Sequence, residues 1–282
     1  MRAGAWPPAP EPLPRPVVDN HTHLEHPAGE PELAVERRLA DAALAGVDRV
    51  VQIGCELESA RWTAAAVERY PAMLGGVALH PNEAPLHAAG THPSGVGYED
   101  ALVEIAALAR GDRIRAVGET GLDAYRTDES GRAAQVRSFR DHIALAKELD
   151  LPLQIHDRDA HAEVLEVLER DGAPERTVFH CFSGDAAMAR LCAYRGYYLS
   201  FAGTVTFKNA DGLRAALAVT PLDRVLVETD APYLAPHPHR GAPNAPYLVA
   251  VTMRTVASVL EVGLEAACDA VSATSESLYG PW

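Results

Sequence analysis

Short runs of apolar and β-branched residues alternate with amphipathic segments along almost the whole chain. The amphipathic segments place apolar residues three and four positions apart, which is typical of helices that cover a sheet. The ends of successive strand-like runs are spaced roughly as a β-α-β unit of about 30 residues requires. Eight such units predict an α/β protein with a (β/α)8 barrel fold. The predicted strands are Val17–Asp19, Arg49–Gly54, Leu74–His80, Ile114–Glu119, Leu153–His156, Thr177–His180, Tyr197–Ala202 and Arg224–Asp230.

A doubly wound sheet would show the same alternation, but its nucleotide-binding form opens with a G-x-G-x-x-G turn that the first strand here lacks. The length of 282 residues exceeds one average domain, yet a single α/β barrel runs to about 250 residues. We therefore expect one barrel domain over residues 17–282. Residues 1–16 contain six prolines, and we expect them to form a disordered, polyproline-like tail.

The chain has 39 acidic and 25 basic residues, a net charge of −14. Proteins that follow a duplex along its phosphates are usually basic, so extended electrostatic binding to DNA is disfavoured. No apolar run approaches the roughly 18 residues of a membrane helix, and the first residues lack the apolar segment of a signal peptide. We expect a cytoplasmic, monomeric protein that binds no membrane.

Imidazoles and carboxylates stand at the carboxyl ends of the predicted strands, which open onto one face of a parallel barrel. His21 and His23 are two residues apart and so point the same way. This ligand set suits divalent ions such as Zn²⁺, Mn²⁺, Mg²⁺ or Ni²⁺. Six groups exceed one tetrahedral site, which predicts two ions that share a water or hydroxide. The six candidate ligands are His21, His23, Glu119, His156, His180 and Asp230.

Several of these residues lie in longer motifs. In chain order these are Asp19-Asn20-His21-Thr22-His23-Leu24, Leu79-His80-Pro81, Gly118-Glu119-Thr120-Gly121-Leu122-Asp123, Ile155-His156-Asp157-Arg158-Asp159-Ala160, Phe179-His180-Cys181-Phe182-Ser183-Gly184 and Glu228-Thr229-Asp230-Ala231-Pro232-Tyr233-Leu234. The series resembles the successive motifs of the TatD-type metal-dependent deoxyribonucleases. The segment His239-Arg240-Gly241, followed by Asn244, fits the same pattern. The resemblance covers residues from about 17 to 280.

This resemblance implies a TIM-barrel member of the amidohydrolase superfamily. It implies that one ion is held by His21, His23, Glu119 and Asp230, and the other by Glu119, His156 and His180. Many binuclear amidohydrolases bridge their ions with a carboxylated lysine of the fourth strand. Both lysines of this chain, Lys147 and Lys208, lie elsewhere, so the bridge would be Glu119.

The sequence departs from the family pattern at a few positions. Relatives often carry an aromatic residue directly after Gly-Leu-Asp, whereas this chain has Ala124 followed by Tyr125. That departure leaves a stacking role at this point open. Asn20 and Asp157 stand where serine or threonine is common. The predicted metal ligands are all present.

Two dications polarise a phosphoryl oxygen and generate hydroxide near neutral pH. We expect Asp230 to act as the base that orients the attacking water and Glu119 to take part in catalysis through the metals. His80, Arg158, Arg240 and Asn244 are placed to contact the substrate. His80 has an alternative role in capping its loop, and for either arginine a salt bridge to a neighbouring aspartate is an equal alternative.

Four functions are compatible with these residues. The leading hypothesis is a metal-dependent deoxyribonuclease that trims nucleic acid from a 3′ end, with a single-stranded DNA end as the favoured substrate. The second is a small-molecule amidohydrolase, such as a deacylase or lactonase. A metal-binding scaffold without turnover would not need a candidate base, and a sequence-specific nucleic-acid binder would need a basic face. The arginines near the predicted site favour an anionic substrate.

Overall fold

A computed structural model describes residues 4–282, and within this range all eight predicted strands are present. They follow one another in chain order in one sheet, and neighbouring strands with a defined register are parallel. This arrangement confirms the (β/α)8 fold class. The strands are β1 (Val17–Thr22), β2 (Val47–Gly54), β3 (Met73–Val77), β4 (Ile114–Asp123), β5 (Leu153–Arg158), β6 (Thr177–Phe179), β7 (Tyr198–Phe201) and β8 (Val225–Val227).

Helices follow the strands along the chain. Aspartates start two of them, since Asp128 accepts a hydrogen bond from Ser130 N and Asp185 accepts one from Met188 N. The helices are α1 (Val35–Leu44), α2 (Leu57–Arg69), α3 (Ala84–Ala88), α4 (Tyr98–Leu108), α5 (Glu129–Leu149), α6 (His161–Asp171), α7 (Ala186–Tyr194), α8 (Asp211–Ala218), α9 (Val249–Val259) and α10 (Leu264–Tyr279).

Within residues 4–282, no single helix has the length and apolar composition needed to cross a membrane. The segments Pro246–Val259 and Leu264–Tyr279 meet those criteria only when taken together, as a pair bent by 110°.

The chain divides into two compact units. The terminal unit comprises residues 1–52 and 181–282, and the central unit comprises residues 53–180. Every residue of β1, in the terminal unit, and of β3, in the central unit, is buried. Such complete burial is expected for parallel strands that are covered on both faces.

In the terminal unit, backbone and side-chain bonds join β1 to the segment after β8. His23 N donates to Ala231 O at 2.8 Å, and Asp230 N donates to His21 O at 2.9 Å. The buried carboxylate of Asp19 accepts from the backbone N of Thr229 at 2.8 Å and from its hydroxyl at 2.5 Å. Burial raises the pKa of Asp19 to about 8. These bonds fix the residues that follow each strand.

The N-terminal segment, expected to be a disordered tail, makes ordered contacts from residue 4 onward; residues 1–3 lie outside the described residues. Its backbone carbonyls accept hydrogen bonds from Tyr247, at Pro7, and from Arg254, at Glu11 and Pro12. Leu13 is buried, and its N–H donates to the carbonyl of Ala45 at 3.0 Å. Proline has no backbone N–H group, but its carbonyl oxygen still accepts hydrogen bonds. The carbonyls of Pro7 and Pro12 do so here.

In the central unit, α2 packs closely on β3 because Gly75 leaves room for it. A Cβ atom on Gly75 would lie 2.5 Å from Ile114 Cδ1 and 2.9 Å from Thr63 Cγ2. From α5, the buried His142 accepts a hydrogen bond from Leu79 N at 3.1 Å through Nε2. This bond ties the helix to the segment that follows β3.

The segment Pro81–Gly97 lies between β3 and α4 in the chain. It contains the short helix α3, and its two histidines are largely buried. The rings of His87 and His92 stack with centroids 3.8 Å apart. His87 Nδ1 lies 2.8 Å from Val96 O, and His92 Nε2 lies 3.2 Å from Glu83. The histidines therefore hold the loop together from within.

Replacing Thr229 with valine should lower the free energy of unfolding by about 1–3 kcal/mol, because Asp19 loses its buried hydroxyl partner. The matched control is Thr22→Val. The Thr22 hydroxyl is also buried but bonds to no described residue, so this isosteric change should be neutral or stabilising. Urea unfolding midpoints compare the two variants. Equal destabilisation by both changes would contradict the role given to the Asp19–Thr229 bond.

Candidate functional site

Three predicted ligands converge in the terminal unit, where β1 ends and the segment after β8 begins. The Nε2 atoms of His21 and His23 are 3.2 Å apart. Asp230 Oδ1 lies 3.4 Å from His23 Nε2 and 3.9 Å from His21 Nε2. Both histidines are buried, and the Asp230 side chain is 15% exposed. Two imidazoles and one carboxylate thus form a buried cluster with one accessible side.

The backbone around Asp230 holds this carboxylate in place. Asp230 has a φ of 53°, in the left-handed region that aspartate tolerates better than most residues. Asn244 is buried and donates from Nδ2 to Thr229 O at 2.9 Å and to Tyr233 O at 2.5 Å. Both N–H groups of Asn244, a predicted substrate contact, are therefore used within the loop. The contacts give Asn244 a positioning role next to Asp230.

A second cluster forms in the central unit around Glu119, which lies within β4. Glu119 Oε1 lies 2.5 Å from His156 Nδ1 and 2.9 Å from His180 Nε2. His80 Nε2 is 3.4 Å from the same oxygen. Cys55 Sγ lies 3.3 Å from Glu119 Oε2. The structure thus brings together the three predicted ligands of this unit and adds His80, which the sequence placed at the substrate.

The charges in this cluster depend on one another. Burial by itself would raise the pKa of Glu119, but the three imidazoles around it hold that pKa well below its usual value. Burial also disfavours a charged His156, yet the Glu119 and Asp123 carboxylates outweigh it and raise the His156 pKa. For His80, burial prevails and lowers the pKa. The carboxylate is therefore held as an anion among nitrogen donors.

Asp123 orients His156, a role that sequence reasoning missed. Its Oδ2 atom lies 3.3 Å from His156 Nε2 and accepts a hydrogen bond from Asn82 Nδ2 at 3.0 Å. With a cation bound on the Glu119 side, the Asp123 carboxylate would keep the imidazole proton on Nε2 and leave Nδ1 to bind the cation. The spacing was a usable signal, since Asp123 follows Glu119 by four residues and β4 includes both.

The donor chemistry of both clusters fits a divalent cation. The ligand atoms of His21, His23 and Asp230 all lie within 4.8 Å of one another, as do those of His80, Glu119 and His156. Imidazole nitrogen and carboxylate oxygen are the ligands that Zn²⁺, Mn²⁺ and Ni²⁺ accept in proteins. The His156 side chain is 15% exposed, so solvent reaches the second cluster as well.

The remaining predicted substrate contacts are two arginines and His80. Arg158 lies over the ring of Tyr125, with Cζ 4.0 Å from the centroid, and Arg240 lies over Phe207 at 4.7 Å. Neither arginine forms an ion pair with any residue in the described range, so the salt-bridge alternative is not found there. His80 Nδ1 accepts from Asn82 N at 3.0 Å. His80 therefore caps its loop while its Nε2 faces Glu119.

The sequence is similar to a known protein family and to proteins of several bacteria. The family model described as TatD related DNase matches residues 18–280. A Mycobacterium tuberculosis protein named uncharacterized metal-dependent hydrolase TatD is 41% identical over 268 residues, 94% of this chain and 98% of the relative. A Cronobacter turicensis protein named 3'-5' ssDNA/RNA exonuclease TatD is 36% identical over 204 residues, 71% of this chain and 73% of the relative.

A solved structure of a TatD homologue is similar to this chain in fold. The crystal structure of the TatD homologue YjjV from Escherichia coli superposes with a TM-score of 0.83 at 27% identity, and the match covers 93% of this chain and 97% of that one.

Replacing Asp123 with asparagine should weaken metal binding in the central unit about 10- to 100-fold, the usual cost of losing such a partner. An amide that donates to His156 Nε2 would move the imidazole proton to Nδ1 and block that ligand atom. Isothermal titration of chelated protein with Zn²⁺ measures the loss.

The matched control for this variant is Asp128→Asn, because Asp128 also accepts local hydrogen bonds, from Ser130, but bonds to none of the cluster's imidazoles within the described part of the chain. Its metal affinity should equal that of the wild type. Unchanged affinity in Asp123→Asn would show that Asp123 does not set the state of His156.

Proposed function

The chain belongs to the TatD-related DNase family and is a metal-dependent hydrolase, and on this premise we propose that it is a deoxyribonuclease that removes nucleotides from the 3′ end of single-stranded DNA. The observation that carries the proposal is the pair of buried ligand clusters, one in each unit, on a chain that carries the family's motifs in order. The relative named as a 3'-5' ssDNA/RNA exonuclease supports the substrate class and direction.

The proposed cofactor is two divalent ions. His21, His23 and Asp230 would hold one ion in the terminal unit, and Glu119, His156 and His180 would hold another in the central unit. Such ions, when bound, supply hydroxide near neutral pH and polarise the phosphoryl oxygen. Zn²⁺, Mn²⁺, Mg²⁺ and Ni²⁺ are the candidates, and the four imidazole nitrogens beside the two carboxylates favour the borderline metals over Mg²⁺.

The side chains of the protein then have separate tasks. Asp230, with one accessible side, accepts the proton of the attacking water. Arg158 and Arg240 have guanidinium groups without carboxylate partners among the described residues, and each is suited to a phosphate oxygen. His80 exchanges a hydrogen bond with the substrate at the edge of the Glu119 cluster. Asn244 acts indirectly because its amide fixes the backbone on both sides of Asp230.

The charge of the chain restricts how nucleic acid binds. With a net charge of −14, the surface repels a polyanion over long distances. Attraction is therefore confined to the arginines and the metal ions. We propose that the protein acts in the cytoplasm on one strand end at a time and does not follow a duplex.

Metal removal tests this proposal directly. Chelated protein should lose hydrolysis of an end-labelled single-stranded oligonucleotide, and added Mn²⁺ or Zn²⁺ should restore it, because no other nucleophile motif is present in the sequence. A 5′ label should give a ladder that shortens by single nucleotides, and a 3′ label should be released at once as a mononucleotide.

Three results would contradict all or part of the proposal. Full activity after complete chelation would exclude the metal mechanism. An enzyme that leaves oligonucleotides intact but turns over a neutral ester or amide with metal bound would instead be a small-molecule amidohydrolase. Labelled fragments of many lengths from both the 5′-labelled and the 3′-labelled oligonucleotide would support nuclease activity but exclude exonuclease action.

Asp230→Asn should lower kcat on the oligonucleotide about 100- to 10,000-fold, the range for losing a general base. His21 and His23 remain, so the variant should still bind metal. Asp223→Asn is the matched control, because Asp223 is exposed and precedes β8, whereas Asp230 follows it. Near-wild-type turnover in Asp230→Asn, with its metal content intact, would assign the base to another residue.

A further inference from the structure

An exposed aromatic ring stands beside the ligand cluster of the central unit. Tyr125 is 67% exposed. The guanidinium Cζ of Arg158 lies 4.0 Å from the ring centroid, in cation–π contact. With a cation on one face and most of the side chain in solvent, the opposite face is accessible to a ligand.

The backbone that carries this ring is fixed. Tyr125 N donates to Asp123 Oδ1 at 2.9 Å, and Ala124 N donates to Arg158 O at 2.9 Å. Asp123 N in turn donates to Gln135 Oε1 at 3.1 Å. An exposed side chain on a backbone held at these three points has lost much of the freedom that binding would otherwise remove.

The ring is also tied to a proposed metal ligand. The same Asp123 carboxylate that accepts from Tyr125 N lies 3.3 Å from His156 Nε2 through its other oxygen. Arg158, behind the ring, follows His156 by two residues in β5. The aromatic ring and the ligand cluster are therefore parts of one hydrogen-bonded unit.

Charge around Tyr125 identifies the kind of ligand. Arg126 follows it and is exposed, and neither Arg126 nor Arg158 forms an ion pair with a residue of the described chain. An apolar ligand would not need two such cations. A nucleotide needs both features, because its base stacks on an aromatic face and its phosphates attract guanidinium groups.

We infer that Tyr125 is a stacking platform for the nucleobase of a nucleotide next to the bond that is cleaved, with Arg158 behind the ring and Arg126 facing the phosphate backbone. The inference rests on the proposed nuclease function and extends it to a substrate subsite. A base can lie on this ring only after it leaves its own stack, so the subsite selects single-stranded ends.

The experiment compares Tyr125→Ala, Tyr125→Phe and Tyr194→Ala on two substrates of equal length. Tyr194 is the control because it is 90% exposed on α7. One substrate is a 3′-terminal thymidine oligonucleotide, and the other carries abasic tetrahydrofuran residues at its last two positions. The abasic strand keeps every phosphate and lacks only the bases.

Wild-type kcat/KM should be about tenfold lower on the abasic strand, within the usual loss for one stacked base. Tyr125→Ala should lose about tenfold on the thymidine strand, mainly through KM, and almost nothing on the abasic strand. Tyr125→Phe should retain wild-type behaviour because the ring remains. Tyr194→Ala should match the wild type on both substrates.

A binding measurement separates stacking from turnover. An oligonucleotide with 2-aminopurine at its 3′ end is titrated into chelated protein, which cleaves nothing. The fluorescence of this base falls when it stacks on an aromatic ring, so wild-type protein and Tyr125→Phe should quench it and Tyr125→Ala should not.

Equal losses for Tyr125→Ala on both substrates, or equal quenching by Tyr125→Ala and wild type, would overturn the subsite while the nuclease function stands. Absence of oligonucleotide cleavage by wild-type protein under all metal conditions would instead overturn the proposed function itself.

Discussion

A buried carboxylate that must stay ionised governs the chemistry of the central unit. Glu119 lies out of solvent, and burial would neutralise it. Three imidazoles within 3.4 Å of its Oε1 atom hold it as an anion instead. An anionic oxygen surrounded by nitrogen donors is poorly stabilised by apolar packing and well stabilised by a cation.

The two units position their candidate ligands through different local contacts. In the terminal unit, backbone hydrogen bonds between β1 and the segment after β8 set the positions of His21, His23 and Asp230. In the central unit, Asp123 selects which nitrogen of His156 faces Glu119 and also fixes the backbone of Tyr125. One carboxylate thus links a candidate metal ligand to an exposed ring, so the proposed metal site and the proposed stacking site share a support.

The fold and the convergence of the candidate ligands could be predicted from the sequence because both depend on local pattern. Apolar runs marked the strands, and His21, Glu119 and His180 stood at or just after their ends. Other features depend on contacts that local pattern does not encode. The N-terminal segment is held by Tyr247 and Arg254, more than 200 residues away. The role of Asp123 was missed because β4 was expected to end at Glu119, whereas it continues to Asp123.

Anomalous X-ray scattering from crystals of the metal-loaded protein tests the central claim most directly. The account predicts one anomalous peak bound by His21, His23 and Asp230, and another bound by Glu119, His180 and the Nδ1 atom of His156. Data collected on both sides of each metal's absorption edge identify the ions. Peaks at other residues, or coordination of His156 through Nε2, would contradict the account.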